Sequence, residues 1–502
     1  MTANDWQTDI AIIGAGFGGI GLGIRLKRAG FCNFKILERS SDLGGVWRDN
    51  TYPGAACDVP SRLYSYSFEQ DWPWQSHFGS QVEILAYLRH CASKHGLMPH
   101  IELNREVEAA KFDGGLRRWR IRLADDGEIF ARILVSGIGI FNQPVYPDIP
   151  GRERFAGPSF HSSDWDHRID LVGKRVAAIG TGASAIQFVP EVAKSALELY
   201  VFHRSPQYVR ARDRAQPVIS NAATSDRRAA ARRAIERLRI FRGYDDGIER
   251  RYSHQKAAAA RETWLGYLAE QVPDPELRRK LTPQYPFGCK RMLQSDAWYP
   301  ALQRANVELI DTPAVEIMQD AIRTRDGKAR AVDVIIYGTG FRPTQFLPNI
   351  RIVGRDGFDL AAAWTHGAEA YLGLTVAGCP NFYMLYGPNT NSSGSIIFFL
   401  EQQARYIVRC LKAMRRRGAD MMEVRREAQD AFNTEVRLRL ANSVVASPDC
   451  LSYFKMANGR IVTQWPWTMR EYRKRTRRVD LSAYVLDDGA EITSRGRPTL
   501  QA

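Results

Sequence analysis

Ile10-Ala11-Ile12-Ile13-Gly14-Ala15-Gly16-Phe17-Gly18-Gly19 is the stretch on which the fold turns. An uninterrupted apolar run of this length reads as a strand buried on both faces of a parallel sheet. It passes directly into G-x-G-x-x-G, and a helical pattern then continues to Arg28. Gly14 permits the tight turn, Gly16 lets backbone approach a pyrophosphate, and Gly19 lets helix pack on strand while the helix N-terminus faces the phosphates. Outward from there, Phe34-Lys35-Ile36-Leu37 forms the next strand and ends in Glu38. That spacing, near the ~20 residues expected, suits a carboxylate that accepts hydrogen bonds from an adenosine ribose.

The pattern recurs once. Arg175-Val176-Ala177-Ala178-Ile179 is a strand, Gly180-Thr181-Gly182-Ala183-Ser184-Ala185 is G-x-G-x-x-A, and a helix runs from Ile186 towards Lys194. The following strand, Leu199-Tyr200-Val201-Phe202, ends in His203-Arg204 with no acid. A carboxylate at that point would repel a ribose 2′-phosphate, whereas a guanidinium pairs with it bidentately. The first site therefore suits FAD and the second NADPH, with the ordinary surface arginine as the other reading of Arg204. The fold class expected is α/β, with two Rossmann-like dinucleotide-binding domains. Two dinucleotides in one chain imply hydride transfer from nicotinamide to flavin. The sequence holds no C-x-x-C pair, which disfavours a dithiol acceptor and leaves molecular oxygen.

Composition agrees. At 502 residues the chain is long enough for roughly three units of ~150 residues. With 44% hydrophobic and 25% charged residues it is neither collagen-like, nor disordered, nor a coiled coil. No apolar run approaches the ~20 residues of a membrane span; the greasiest, Ser395 to Leu400, is far shorter. The opening Met1 to Asp9 is polar and acidic, so a cytoplasmic protein is expected. Seven scattered cysteines encode neither a disulfide framework nor a metal site, and free thiols are expected. The net charge of +15 suits nucleic acid, an acidic membrane surface or phosphorylated small molecules. Much of it lies between Arg227 and Arg251, after Ser225-Asp226, where alanine and arginine alternate at helical spacing. We read this as a solvated helix face, and no nucleic-acid partner is expected, because no nucleic-acid-binding motif accompanies it.

Between the two glycine motifs, Phe155-Ala156-Gly157-Pro158-Ser159-Phe160-His161-Ser162-Ser163-Asp164-Trp165-Asp166 matches F-x-G-x-x-x-H-x-x-x-W-[PD] at every fixed position. A second long match runs from Gly44-Gly45-Val46-Trp47 through Tyr52-Pro53-Gly54 to Asp58. In these stretches the chain resembles the Baeyer–Villiger monooxygenases, type I class B flavoprotein monooxygenases that convert ketones to esters or lactones. The resemblance covers nearly the whole sequence, and flavin-containing N- and S-oxygenases typically lack the tryptophan. It implies that Cys289-Lys290-Arg291-Met292 is the family's K-R segment, with Arg291 catalytic over the flavin, where a permanent positive charge stabilises a C4a-peroxide anion. Lys290 is then a second 2′-phosphate partner or a solvated lysine. Asp58 sits near the flavin, orienting an arginine or the nicotinamide amide. His161 and Trp165 couple the domains, although a satisfied structural histidine is the other reading of His161. Gly338-Thr339-Gly340-Phe341 is similar to the family's A-T-G-F with one methyl fewer, and Gly387-Pro388-Asn389-Thr390 resembles its return to the flavin. Gly45, Trp47, Val107, Thr181, Ser184, Gln187 and Asn389 complete the expected cofactor contacts. The tail from Thr463 through Trp467 and Tyr472 to Arg475 resembles the C-terminal strand and loop of the hydroxyacetophenone-type branch.

The expected organisation is an FAD domain from 1–148 and 342–502 around an NADPH domain at 149–341. The latter carries a helical insertion at about 213–285, bounded by Pro217 and by Pro283 to Pro286. Residues Glu106 to Val135 read as a small antiparallel meander. A sulfur or nitrogen oxygenase on the same scaffold is the alternative activity, and a flavin-bearing regulatory protein that binds nucleic acid is the alternative class.

Overall fold

The computed structural model of the chain describes residues 7–212, 227–248, 253–392 and 394–487. Strand Gln7–Ile13 lies between Phe34–Leu37 and Glu128–Ser136 and runs parallel to both, with Ile10 opposite Phe34 on one side and Ile133 on the other. Ile10, Ala11 and Ile12 are at most 1% exposed, as a strand covered on both faces requires. The eight-stranded sheet runs Arg351–Val353, Val107–Asp113, Arg118–Leu123, Glu128–Ser136, Gln7–Ile13, Phe34–Leu37, Ile101–Glu102, and Phe382–Met384 also pairs with Glu128–Ser136. Its antiparallel portion is the meander expected from 106 to 135, fused into the main sheet. Two of its strands come from beyond residue 350, so the sheet draws on both ends of the chain.

The second sheet is parallel throughout and ordered Val307–Ile310, Glu198–Phe202, Arg175–Ile179, Val334–Tyr337, Ser159–His161. The stretch from Ala329 to Tyr337 is divided between two sheets. Ala329–Ala331 joins a three-stranded antiparallel sheet, and Asp333 turns away to take the Arg175 backbone N–H at 2.8 Å and its guanidinium at 2.7 Å. Thr463 to Trp467 likewise forms no strand; Gln464 makes a single bridge to Asn391. Trp465 is 1% exposed, and packing rather than ladder pairing holds this segment.

The apolar run Ser395 to Leu400 begins helix Ile396–Arg417, which ends on a left-handed Gly418 after three arginines that favour the negative end of the helix dipole. Among the described residues no helix is long and apolar enough to cross a membrane. The insertion contains helices Arg227–Gly247, His254–Gln271 and Pro275–Leu281, while Pro217, Ser225 and Asp226 lie outside the described residues. The first helix is more than a solvated face. Arg237 donates to the Ser65 carbonyl at 3.1 Å, Phe241 packs 5.0 Å from Phe398, and the fully buried Asp245 pairs with Arg470. The expectation of seven free thiols is overturned, because Cys289 and Cys450 are joined in a disulfide. Their separation of 161 residues leaves no local signal, since tertiary packing alone brings them together. Cys57, Cys91, Cys379 and Cys410 remain free and buried, and Cys32 free and exposed.

Candidate active site

The two sheets face each other across a cavity of about 950 Å³, and both glycine motifs open into it. At the first, Gly14 has φ +99°, and a Cβ there would sit 2.9 Å from the Gly137 carbonyl oxygen. Gly16 caps helix Phe17–Arg28 without a side-chain hydrogen bond, so the first-turn N–H groups are presented to whatever occupies the cavity. Glu38 is 4% exposed at the end of its strand. Its carboxylate accepts from the Ala15 N–H at 2.8 Å, the Ser40 N–H at 3.1 Å and Arg48 at 2.9 Å, which fixes it beside the glycine turn. Gly45 and Trp47 line the same end, with the Trp47 indole donating to the Tyr64 hydroxyl at 3.1 Å, and Val107 closes it.

At the second motif, Gly180 has φ +111° and a Cβ would meet the Gly338 oxygen at 2.3 Å. Thr181, Gly182 and Ser184 line the cavity, and Ser184 caps helix Ala185–Val192 without a side-chain bond. Ala185 lies behind the turn, where a Cβ on Gly338 would come 3.1 Å from its own. The missing methyl at Gly338 is thus the room that Ala185 fills. Arg204 is exposed at its strand end. Lys290 donates to Ser205 at 2.7 Å and lies 4.3 Å over the Tyr285 ring. Burial, and then the nearby Arg204, lower its pKa to about 8. His203, next to Arg204 in the chain and also on the cavity wall, is held down to about 4 by burial.

Between the two ends, Asp58 and Arg291 form an ion pair on the cavity wall. Burial opposes the charge on Arg291, but Asp58 first and Tyr453 next hold its pKa above the ordinary value. The Asp58 carbonyl accepts from Gln294 and the Tyr244 hydroxyl, each at 3.4 Å, which brings the insertion to the site. Gln187 clasps the Tyr52 to Asp58 segment: its oxygen accepts from the Tyr52 hydroxyl at 3.0 Å and its amide donates to the Ala56 carbonyl at 2.9 Å. Gly54 allows this approach, since a Cβ there would lie 2.8 Å from the Gln187 carbonyl oxygen.

Besides Ala185, four expected residues act from outside the cavity. Gly19 packs its helix on the first strand, where a Cβ would collide with the Gly14 oxygen at 2.0 Å. His161, fully buried, accepts from the Ser163 N–H at 3.1 Å and packs against Phe341 and Tyr146 at 5.5 and 5.7 Å, the two segments by which the chain crosses between sheets. Burial lowers its pKa to about 4, so it is neutral there. Trp165 wedges between Phe160 and Phe188. Asn389, at φ +55°, turns inward and donates to the Ile461 and Gln464 carbonyls at 3.1 and 3.0 Å, bracing the C-terminal segment instead of facing the cavity. Sequence reasoning passed over Arg48, Tyr64, Tyr386 and Tyr453. Arg48 follows Trp47 directly and could have been found; the tyrosines are gathered from distant segments.

The donor set fits two dinucleotides: two uncapped helix N-termini for phosphates, an acid beside one and cations beside the other. The family described as "Flavin-binding monooxygenase-like" matches residues 7–234. A Baeyer-Villiger monooxygenase of Streptomyces coelicolor is 40% identical over 95% of this chain and 92% of its own length. Another, from Pseudomonas aeruginosa, is 39% identical over 95% and 91%. Among solved structures, oxidised steroid monooxygenase bound to NADP is similar with a TM-score of 0.85 and 30% identity over 96% of this chain and 100% of that one. OTEMO in complex with FAD and NADP is similar at 0.86 and 28% over 95% and 99%.

Proposed function

The chain belongs to the Baeyer–Villiger monooxygenases, and from that premise we propose that it is an NADPH- and O2-dependent FAD monooxygenase that inserts one oxygen beside a ketone carbonyl to give an ester or lactone. The observation that carries this reading is one cavity with an acid at its first adenosine end, cations at its second, and the Asp58–Arg291 pair between. Residues 1–148 and 342–502 would form the FAD domain and 149–341 the NADPH domain, in keeping with the strands each sheet recruits. An enzyme drawing on NADPH in this way is read as cytoplasmic.

Bound FAD supplies oxygen activation and bound NADPH the hydride. Gly14, Gly16 and the first turn of helix Phe17–Arg28 would hold one pyrophosphate, with Glu38 accepting from the ribose hydroxyls. Gly180 to Ser184 would hold the other, with Arg204 and Lys290 on the 2′-phosphate. Arg291 keeps a positive charge where negative charge develops on oxygen, and Asp58 fixes its direction. Tyr64, Tyr386 and Tyr453 line the cavity with this pair, and with the cofactors bound their rings would keep out water, whose entry would divert reducing power into hydrogen peroxide. Arg291→Ala should leave flavin reduction by NADPH in place while oxygenated product falls by about 100-fold or more. Normal ketone turnover by that variant would overturn the assignment. Offering a cyclic ketone and a thioether together separates this activity from sulfur oxidation.

A further inference from the structure

The disulfide occupies a position that structural stapling alone does not explain. Cys289 immediately precedes Lys290 and Arg291, two of the cations that line the cavity. Cys450 lies in the stretch 447–468, which contains neither helix nor strand. Turn hydrogen bonds shape its first half, from the Cys450 N–H to the Ser447 carbonyl at 3.0 Å and from the Lys455 N–H to the Ser452 carbonyl at 3.0 Å. Lys455 also donates its ammonium to the Ser447 carbonyl at 3.1 Å. Nevertheless this stretch places Leu451, Tyr453 and Phe454 on the cavity wall. Leu451 is 76% exposed, so its position owes little to burial. Tyr453 is close enough to Arg291 to act on its charge. The bond sets the two Cα atoms 5.5 Å apart, with both cysteines fully buried among Val445, Phe454, Leu293 and Tyr208.

We propose that the Cys289–Cys450 bond is a positioning element for oxygenation. It ties the wall segment 447–456 to the Lys290–Arg291 turn, so that Leu451 and Tyr453 close the cavity beside Arg291. This proposal rests on the monooxygenase reading above. A segment built of turns, with no strand ladder to hold it, opens more readily than the sheets, and a covalent link to the catalytic turn limits that opening at the point where water must be kept out. The burial of both sulfurs slows exchange of the bond with small thiols, so reducing it in the folded enzyme takes a strong dithiol and long incubation. With the bond broken, the cations and the glycine motifs remain in place, so flavin reduction continues while the cavity leaks. Reduction by an added dithiol cleaves the one S–S bond to two thiols, and the dithiol surrenders two electrons and two protons to become its own disulfide.

The test uses the full-length FAD holoenzyme. Thiol titration after unfolding without reductant should find five reactive cysteines, rising to seven after dithiol treatment; seven at the outset overturns the proposal. Cys289→Ala, Cys450→Ala and the double variant are then compared. Each should raise the rate of ketone-free NADPH oxidation, and with it the rate of peroxide release, by about fivefold, with anaerobic flavin reduction within about twofold of the parent. The double variant should be no worse than either single one, because one bond is lost in all three. A parental rate of peroxide release in variants that bind FAD overturns the proposal. Should the variants fail to fold, the parent enzyme is reduced with dithiol and reoxidised. A reversible rise in the rate of peroxide release supports the proposal, and an unchanged rate at a count of seven thiols overturns it. Because peroxide release and thiol count need no ketone, they still report on the bond if no ketone is oxygenated, the outcome that would instead sink the functional reading.

Discussion

At the scale of single residues, the site works by placing charges of opposite sign at equivalent points of two related units. Glu38 was legible from its place after the second strand, and Arg204 from the same place in the repeat. Lys290 was legible only in part: its identity came from resemblance, but its electrostatic condition comes from packing. Burial, with Arg204 next, lowers its pKa to about 8, so it is charged below that pH and neutral above. A 2′-phosphate bound to it would favour the charged form and raise its pKa, so NADPH binding takes up a proton and weakens as pH rises through about 8. The KM for NADPH should therefore climb above pH 8 while that for NADH, which lacks the phosphate, shows no such break. Lys290→Met should abolish the break. A profile for NADPH that stays flat from pH 7 to 9 would remove Lys290 from the 2′-phosphate site.

At the scale of elements, the two strand–turn–helix units follow directly from their glycines, because positive φ and close approach leave no other residue type at Gly14 and Gly180. What the pattern could not convey is how one unit's third position depends on a strand more than 150 residues later. Ala185 and Gly338 share one space: a methyl on Gly338 would crowd that of Ala185 at 3.1 Å, and Phe188 bounds it at 3.2 Å. Gly338→Ala should destabilise the enzyme by about 1–3 kcal/mol through overpacking. Adding Ala185→Gly should recover part of that, with a coupling of about 1 kcal/mol in thermal or urea unfolding followed by flavin fluorescence. Strict additivity would show that the two positions do not share the space. At Thr463 to Trp467 the resemblance implies a strand and the structure shows none, because Trp465 and its neighbours are held by packing into a core and not by ladder pairing.

At the scale of the whole molecule, the fold class and the presence of two nucleotide sites were readable because each rests on short contiguous motifs. The wall of the cavity was not, since Asp58, Arg291, Tyr386 and Tyr453 come from separate parts of the chain, and neither was the disulfide that ties two of those parts together. Nor was the role of the basic helix Arg227–Gly247, whose inner face carries Tyr244 to the Asp58 backbone. The crossing segments hold each other through Val145 N–H to the Gly340 carbonyl at 2.9 Å, with His161 packed against both. One assembly thus joins the acid end, the central cation and the basic end along a single cavity, where the two electrons of NADPH reduce one atom of O2 to water while the other is inserted beside a ketone carbonyl. The most direct test is to incubate the purified FAD-loaded protein with NADPH, a cyclic ketone and ¹⁸O-labelled oxygen, and to identify the product by mass spectrometry. The account predicts a lactone carrying one labelled oxygen in the ring, formed in step with NADPH oxidation. A protein that retains FAD and oxidises NADPH, yet yields only hydrogen peroxide or a sulfoxide across a panel of ketones and thioethers, would contradict it.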